Sequence, residues 1–495
     1  MKKQTKVLLA AAMMTMGATF SALAAETKGT WVLNEEGWQY ADKDGEYMDN
    51  VWAKSNGIEY WVNDDEVLGS NEWVVEDYEK ADGTTGTREY YVQSDGSKTV
   101  NAWKYLYEMD DEEEEKDPHW YYFDAKGRMI KGGKKDINGS TYYFNDEGMM
   151  LTGWVDTTTM EKATTEALPG NVVYTNENGA VVKTSWVNVF PWSKESDDCY
   201  EGEDEKWYYT TSAGKINANK QVKVDGLSYI FNANGEMLTK WVGKDYAGNY
   251  AVVNKDAAIK QVDSADLAEV YYCDADYGYV KKDGWREIKE ANGDDTFWFH
   301  FDKLGRAFLA TSGNAIAAAP QTFYNGETNI IDVKADTPDS EFMVNSKKID
   351  GVVYYFNAKG EMIDGLQVID GLGLVYLEGG ARQTGKVTLT DENENDYEFY
   401  FGEKTDNEDG VEKYVAVTGA YKNYIYVNGQ LITSGDKDSY KVVYDVNGED
   451  YIVDHNGKIQ HKDGKDYAVV WGEGTGKYTF DAEGDFITGL YPVAD

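Results

Sequence analysis

Residues 139–154 read GSTYYFNDEGMMLTGW. Tyr142, Tyr143 and Phe144 are β-prone aromatics whose side chains alternate between the two faces of a strand. Asn145-Asp146-Glu147-Gly148 is a turn, with Gly148 suited to a left-handed position. Met149-Met150-Leu151 is expected to return as the second strand. Gly153 then frees the backbone to swing, and Trp154 opens the next unit. A single hairpin of this size is marginal in water, so the stretch must bury its rings against neighbours. Similar strings supply those neighbours: SYIFNANGEMLTKW at 228–241, VYYFNAKGEMIDG at 353–365 and WYYFDAKGRMIKGG at 120–133.

The turn glycines set a spacing. Gly127 and Gly148 are 21 residues apart, as are Gly214 and Gly235, and Ala381 follows Gly360 by the same 21. Weaker copies run from about Trp31 to the last residues, among them 60–70, 90–100, 172–186, 299–308, 424–434, 451–460 and 478–489. A fixed period of this length marks a repeat architecture in which stability comes from contacts between adjacent units. The expected fold is all-β: an elongated solenoid of stacked β-hairpins of about 20 residues each, broken by irregular insertions. The expected organisation is a signal peptide over 1–24, divergent repeats over 25–107, an acidic loop at 108–118, central repeats over 119–305, an insertion or linker at 306–346, and C-terminal repeats over 347–495. Within the insertion, AIAAAP at 315–320 reads as a short helical turn or coil.

The first residues indicate export. MKKQTK is a basic leader, residues 7–20 are apolar, and Ala22-Leu23-Ala24 is a small-residue cleavage site. No later run approaches the roughly 20 apolar residues of a membrane span, and no LPxTG-type sorting signal closes the chain. The composition carries 39 Tyr, 15 Trp and 50 Gly but only 6 Pro and 4 His. Disordered chains are poor in aromatics, so a packed β protein is expected. The two cysteines, Cys199 and Cys273, either pair in an oxidising exterior or remain free. A net charge of −41 repels nucleic acid and anionic membrane and tolerates neutral polysaccharide or cations.

The strings GMMLTGW and GEMLTKW, preceded by TYYF and SYIF, resemble the cell-wall-binding (choline-binding-type) repeat. They are also similar to the glucan-binding repeats of streptococcal glucosyltransferases and the repetitive oligopeptides of clostridial toxins. The resemblance is strongest over 119–154 and 207–241 and extends to 347–385. It implies a hairpin solenoid that binds surface polymers non-covalently, with aromatics of consecutive hairpins boxing a trimethylammonium group in the choline-binding members. A ring face attracts a cation by about 0.5–2 kcal/mol per contact, and many weak sites along one rod give avidity on a repetitive polymer. The pattern is incomplete in this chain. The WYY triplet is intact at 120–122 and 207–209 but reads TYY at 141–143 and SYI at 228–230, and the GW pair at 153–154 becomes Gly132-Gly133 and Lys240-Trp241. Complete three-ring boxes in consecutive units therefore look hard to assemble, which favours carbohydrate over choline.

Most rings have a packing reading beside a binding one. Phe144, Phe231 and Phe356 lack a polar handle and are read as core, as are Tyr143, Tyr229 and Tyr355 in mid-strand. The ligand candidates are Trp73, Trp120, Tyr122, Trp154, Trp186, Trp207, Tyr209 and Trp241. Trp154 is expected to stand free, with Met150 and Met237 packing under such rings. No metal-ligand spacing, nucleophile elbow, P-loop or dinucleotide loop occurs, and Ser434-Gly435-Asp436-Lys437 lacks the companions its S-x-x-K pattern needs. The acidic run from Asp110 to Asp117 lacks calcium-loop spacing. No catalytic residue, metal or cofactor is implied. The expected function is a secreted, non-enzymatic protein of a Gram-positive-type bacterium, associated non-covalently with the wall. Its partner would be a repetitive wall polysaccharide or teichoic acid, with or without choline substituents. An adhesin for host or dietary glycans, or a structural spacer, is the alternative.

Overall fold

The computed structural model describes residues 29–109, 117–192, 205–253, 267–289, 296–310, 316–319, 322–323, 331–332, 342–357, 359–369, 371–390, 394–446, 448–460, 467–471, 474–480 and 486–487. The 1–24 leader, most of the 108–118 acidic run and Cys199 lie outside them. Among the described residues the chain is almost wholly β. Its strands form many small antiparallel sheets, and one short 3-10 turn covers Pro169–Asn171.

The opening stretch shows how one unit is made. Ser140–Phe144 pairs with Gly133–Ile137, the strand before it, in a two-stranded ribbon. Asn138 and Gly139 join the two strands with φ of 49° and 85°, the left-handed pair of a type I′ turn. This corrects the expected pairing of Tyr142–Phe144 with the segment that follows. Past Phe144, Met150 returns only far enough for a single bridge to Phe144. The intervening turn is closed by Gly148 N–H donating to Asn145 O at 3.0 Å and Met149 N–H donating to Asn145 Oδ1 at 2.8 Å. Asn-Gly or Asp-Gly pairs make the same tight turn at 56–57, 225–226, 350–351 and 428–429, each with both φ values positive.

Successive ribbons are tied by one recurring backbone bond. The residue two past the turn glycine donates its N–H to a strand of the preceding ribbon. Met129 donates to Glu89 O, Met150 to Trp120 O and Met237 to Trp207 O, each at 2.8 Å. Side chains fill the space between ribbons. Phe123, Phe144 and Tyr208 are fully buried and Tyr121 nearly so, each worth about 1.5–3 kcal/mol of burial.

The chain divides into two compact units, Met1–Ala218 with Ala233–Met237, and Asn219–Asn232 with Leu238–Asp495. In the first, two-stranded ribbons follow one another, joined by a three-stranded sheet built on Gly153–Asp156. In the second, ribbons give way to larger sheets. Strands 316–319, 342–349, 352–357, 381–382, 373–378 and 365–369 close into a barrel around Val344, Tyr355, Ile369, Val375 and Leu377. Ile316–Ala319 is thus a strand, where its sequence suggested a helical turn or coil. A five-stranded sheet over 385–431 follows, packed on Phe399 and Phe401. Among the described residues the six barrel strands close on themselves, so that the first pairs with the last.

Candidate functional site

A single ring arrangement recurs along the ribbons. In the first four ribbons a tryptophan in the first strand lies directly opposite an aromatic on the second strand, and a third ring reaches it from the following ribbon. Trp31 faces Tyr40 and meets Tyr60, with centroids 5.2 and 6.1 Å away. Trp52 faces Trp61 and meets Tyr90, at 5.0 and 5.6 Å. Trp73 faces Tyr91 and meets Tyr121, at 5.4 and 5.1 Å. Trp103 faces Tyr122 and meets Tyr142, at 5.1 and 4.9 Å. Four successive ribbons therefore carry three-ring clusters, in which the rings pack directly on one another. The residues that departed from the WYY pattern do not matter to it. The third ring is the middle residue of the triplet, so Thr141 in place of tryptophan leaves the cluster intact.

The clusters differ in access. In the Trp103–Tyr122–Tyr142 cluster all three rings are partly exposed, while Phe144 stacks beneath Trp103 at 5.7 Å. In the Trp73 and Trp154 clusters the third ring, Tyr121 or Tyr208, is fully covered. In the second unit Trp285 lies among His300 and Tyr354 at 5.2 and 4.8 Å, all three partly exposed. Trp241 there packs on Tyr272 and Phe299 at 4.9 and 4.8 Å.

The expected ligand residues fall into three groups. Trp73, Trp154 and Trp241 are half-buried cluster centres. Trp73 donates its indole N–H to Tyr107 O at 3.3 Å and Trp154 to Phe190 O at 2.7 Å. Trp154 also touches Tyr174, Trp192 and Tyr208, at 4.9, 5.0 and 4.9 Å, so it does not stand free as its position after Gly153 suggested. Trp186 and Tyr209 face each other at 5.0 Å, with Trp207 at 6.2 Å. Trp120 and Trp207 are the open rings, 45% and 47% exposed. Trp120 shares a strand face with Tyr122 and pairs with Tyr105 at 5.1 Å. Sequence reasoning missed Trp103 and Tyr142. The signal for Trp103 was an Asn-x-Trp motif: Asn50, Asn71 and Asn101, with φ of 48°, 53° and 47°, each stand two residues before a cluster tryptophan.

Burial, the leading cause, raises the phenol pKa values of Tyr143, Tyr174 and Tyr208, so these rings carry no charge at neutral pH. The Tyr208 hydroxyl is buried and has no hydrogen-bond partner among the described residues. Phe299 holds the corresponding place in the Trp241 cluster. Tyr208→Phe should therefore raise stability by about 1 kcal/mol, read as a higher urea midpoint with unchanged slope. Cys273 is a free, buried thiol whose pKa burial pushes up to about 12, which keeps it protonated. Among the described residues no group of three or more His, Cys, Asp or Glu side chains is placed to hold a metal.

Comparison with known proteins bears on the same segments. Residues 115–152 match the family model described as a choline-binding repeat, and residues 347–362 match that of a putative cell wall binding repeat. Two segments of the chain thus match repeats of the choline-binding and cell-wall-binding type. The first match covers Tyr122 and Tyr142, and both lie where the aromatic strings suggested this resemblance. Glucosyltransferase-S of Streptococcus mutans serotype c is 25% identical over 276 residues, which are 55% of this chain and 16% of that protein. The chain thus spans less than a fifth of that relative's length. The solved structures to which the chain is similar include two from Streptococcus pneumoniae. The modular autolysin LytC in complex with a synthetic peptidoglycan ligand is 17% identical, covering 67% of this chain and 52% of its own, with a TM-score of 0.34. The choline-binding domain of CbpL is 21% identical over 51% of this chain and 97% of its own, with a TM-score of 0.30.

Proposed function

We propose that the chain is an exported, non-enzymatic binding protein that holds a repetitive cell-wall polymer through the aromatic clusters between its ribbons. The carrying observation is the partly exposed Trp103–Tyr122–Tyr142 cluster, two of whose rings lie inside the segment that matches a choline-binding repeat. Partly exposed aromatic rings attract an organic cation, and a net charge of −41 favours cations over polyanions. A teichoic acid or polysaccharide bearing choline-type substituents fits both. Each cluster alone binds weakly, and several engaged on one polymer give avidity. The N-terminal 24 residues serve as the export signal and leave the mature chain beginning at Ala25.

Walls stripped of secondary polymers should fail to pellet the protein, and free choline should release it from intact walls. Trp103→Ala should weaken choline binding at its own cluster by roughly 5- to 30-fold, equivalent to about 1–2 kcal/mol, in a fluorescence titration. Undiminished pelleting on stripped walls would overturn the reading. A second reading, neutral glucan binding, is favoured by the open rings of Trp120 and Trp207, whose exposed faces suit stacking on sugar C–H faces. Retention on insoluble glucan that choline does not reverse would select it.

A further inference from the structure

Lys98 breaks the pattern that its counterparts follow. The residue two past the turn glycine is Met129, Met150, Val181 or Ile216 in other repeats of the first unit, bridged respectively to Phe123, Phe144, Thr175 and Thr210. Lys98 bridges to Val92 in the same manner, and its N–H donates to Glu59 O at 2.8 Å as Met129 does to Glu89 O. Its aliphatic stem also replaces methionine in packing. A Cβ placed on Gly127 would lie 2.6 Å from Lys98 Cδ, just as one on Gly148 would lie 2.6 Å from Met129 Sδ. The ammonium goes further than a methionine can. It sits 3.8 Å from the Trp52 ring centroid and 4.6 Å from that of Tyr90. It is also 2.7 Å from Glu59 Oε2, with only 8% of the side chain exposed. Glu76 Oε1 accepts the Trp52 indole N–H at 2.9 Å, fixing that ring.

We propose that Lys98 is the built-in cation of the Trp52–Trp61–Tyr90 cluster, closing this position to external ammonium groups while the Trp103 cluster stays open. The inference rests on the reading that open clusters take quaternary ammonium ligands. Its physics is that of a tethered competitor. A lysine held by its own backbone is present at high effective concentration. Displacing it would strip a nearly buried ammonium of Glu59 and two ring faces at once. Lys98 thereby determines which inter-ribbon positions accept ligand.

The test is equilibrium dialysis of the full chain against choline. Lys98→Met keeps the stem that packs under Gly127, removes the ammonium, and leaves the Glu59 and Glu76 carboxylates beside the vacated space. It should bind one more choline per chain than the unaltered protein, and adding Trp52→Ala should remove the extra site. If the unaltered chain binds choline and Lys98→Met adds none, the closed position is refuted and the proposed function stands. If only Lys98→Met binds, the closed position stands and the choline reading of the open clusters falls. If neither binds, both fall. Reductive methylation of the unaltered protein tests the same point without a variant. Lys98 should stay unmodified while Lys43, whose side chain is 81% exposed, is methylated. Equal labelling of the two would refute the closed position.

Discussion

Trp154→Ala should lower the stability of the repeats around it by about 3–5 kcal/mol, the range for removing a large ring from a packed cluster. The indole fills the space between Tyr174, Trp192 and Tyr208, and its N–H is the donor for Phe190 O. Truncation would leave a cavity and an unpaired carbonyl together. Because repeats are stabilised mainly by their neighbours, the loss should be local. Hydrogen exchange should quicken across 153–156, 172–175 and 206–209 and leave the amides of 51–62 protected. Trp120→Ala, which removes a ring that is 45% exposed, should cost less than about 1 kcal/mol in the same urea titration. A Trp154→Ala chain with unchanged unfolding but lost polymer binding would mean that the indole serves ligand rather than core.

Gly148→Val should be nearly as damaging, at about 3 kcal/mol or more, for two separable reasons. Its φ of 85° is left-handed, where a β-branched residue is strained, and its Cβ would lie 2.6 Å from Met129 Sδ. Gly153, with φ of 79° and open space for 4 Å around the position its Cβ would take, supplies the control. Alanine at 153 should show the backbone cost alone, and alanine at 148 that cost plus the clash. Combining Gly148→Ala with Met129→Ala should then recover part of the loss, seen as a coupling energy in the double-mutant cycle. Strict additivity would show that the turn glycine is required for its backbone alone.

Much of this was legible in the residues. The 21-residue spacing gave the repeats, and the aromatic strings identified Phe144, Phe231 and Phe356, all fully buried. The direction of pairing was not read, although Asn138-Gly139 announced it. A strand such as 140–144 has turn signals on both sides, and its own alternation does not say which neighbour it joins. The ring clusters were harder still. Trp103 and Tyr142 stand 39 residues apart and meet only because one ribbon lies on the next. Matching each string to a single-repeat consensus misses a site whose rings come from two repeats. Barrel closure over 316–382 depends likewise on pairings far apart in the chain, such as Ala318 with Ile369.

In every cluster of the first ribbons the third ring arrives from the C-terminal side: Tyr60 for Trp31, Tyr90 for Trp52, Tyr121 for Trp73 and Tyr142 for Trp103. That gives the array a polarity in time. As the chain emerges from the ribosome, each tryptophan waits some tens of residues for the ring that completes its cluster. Growth of such a gene by duplication at its 3′ side adds one ribbon and finishes one cluster with the same step. A cut between ribbons, by contrast, leaves the upstream fragment with a terminal tryptophan that has lost its third ring.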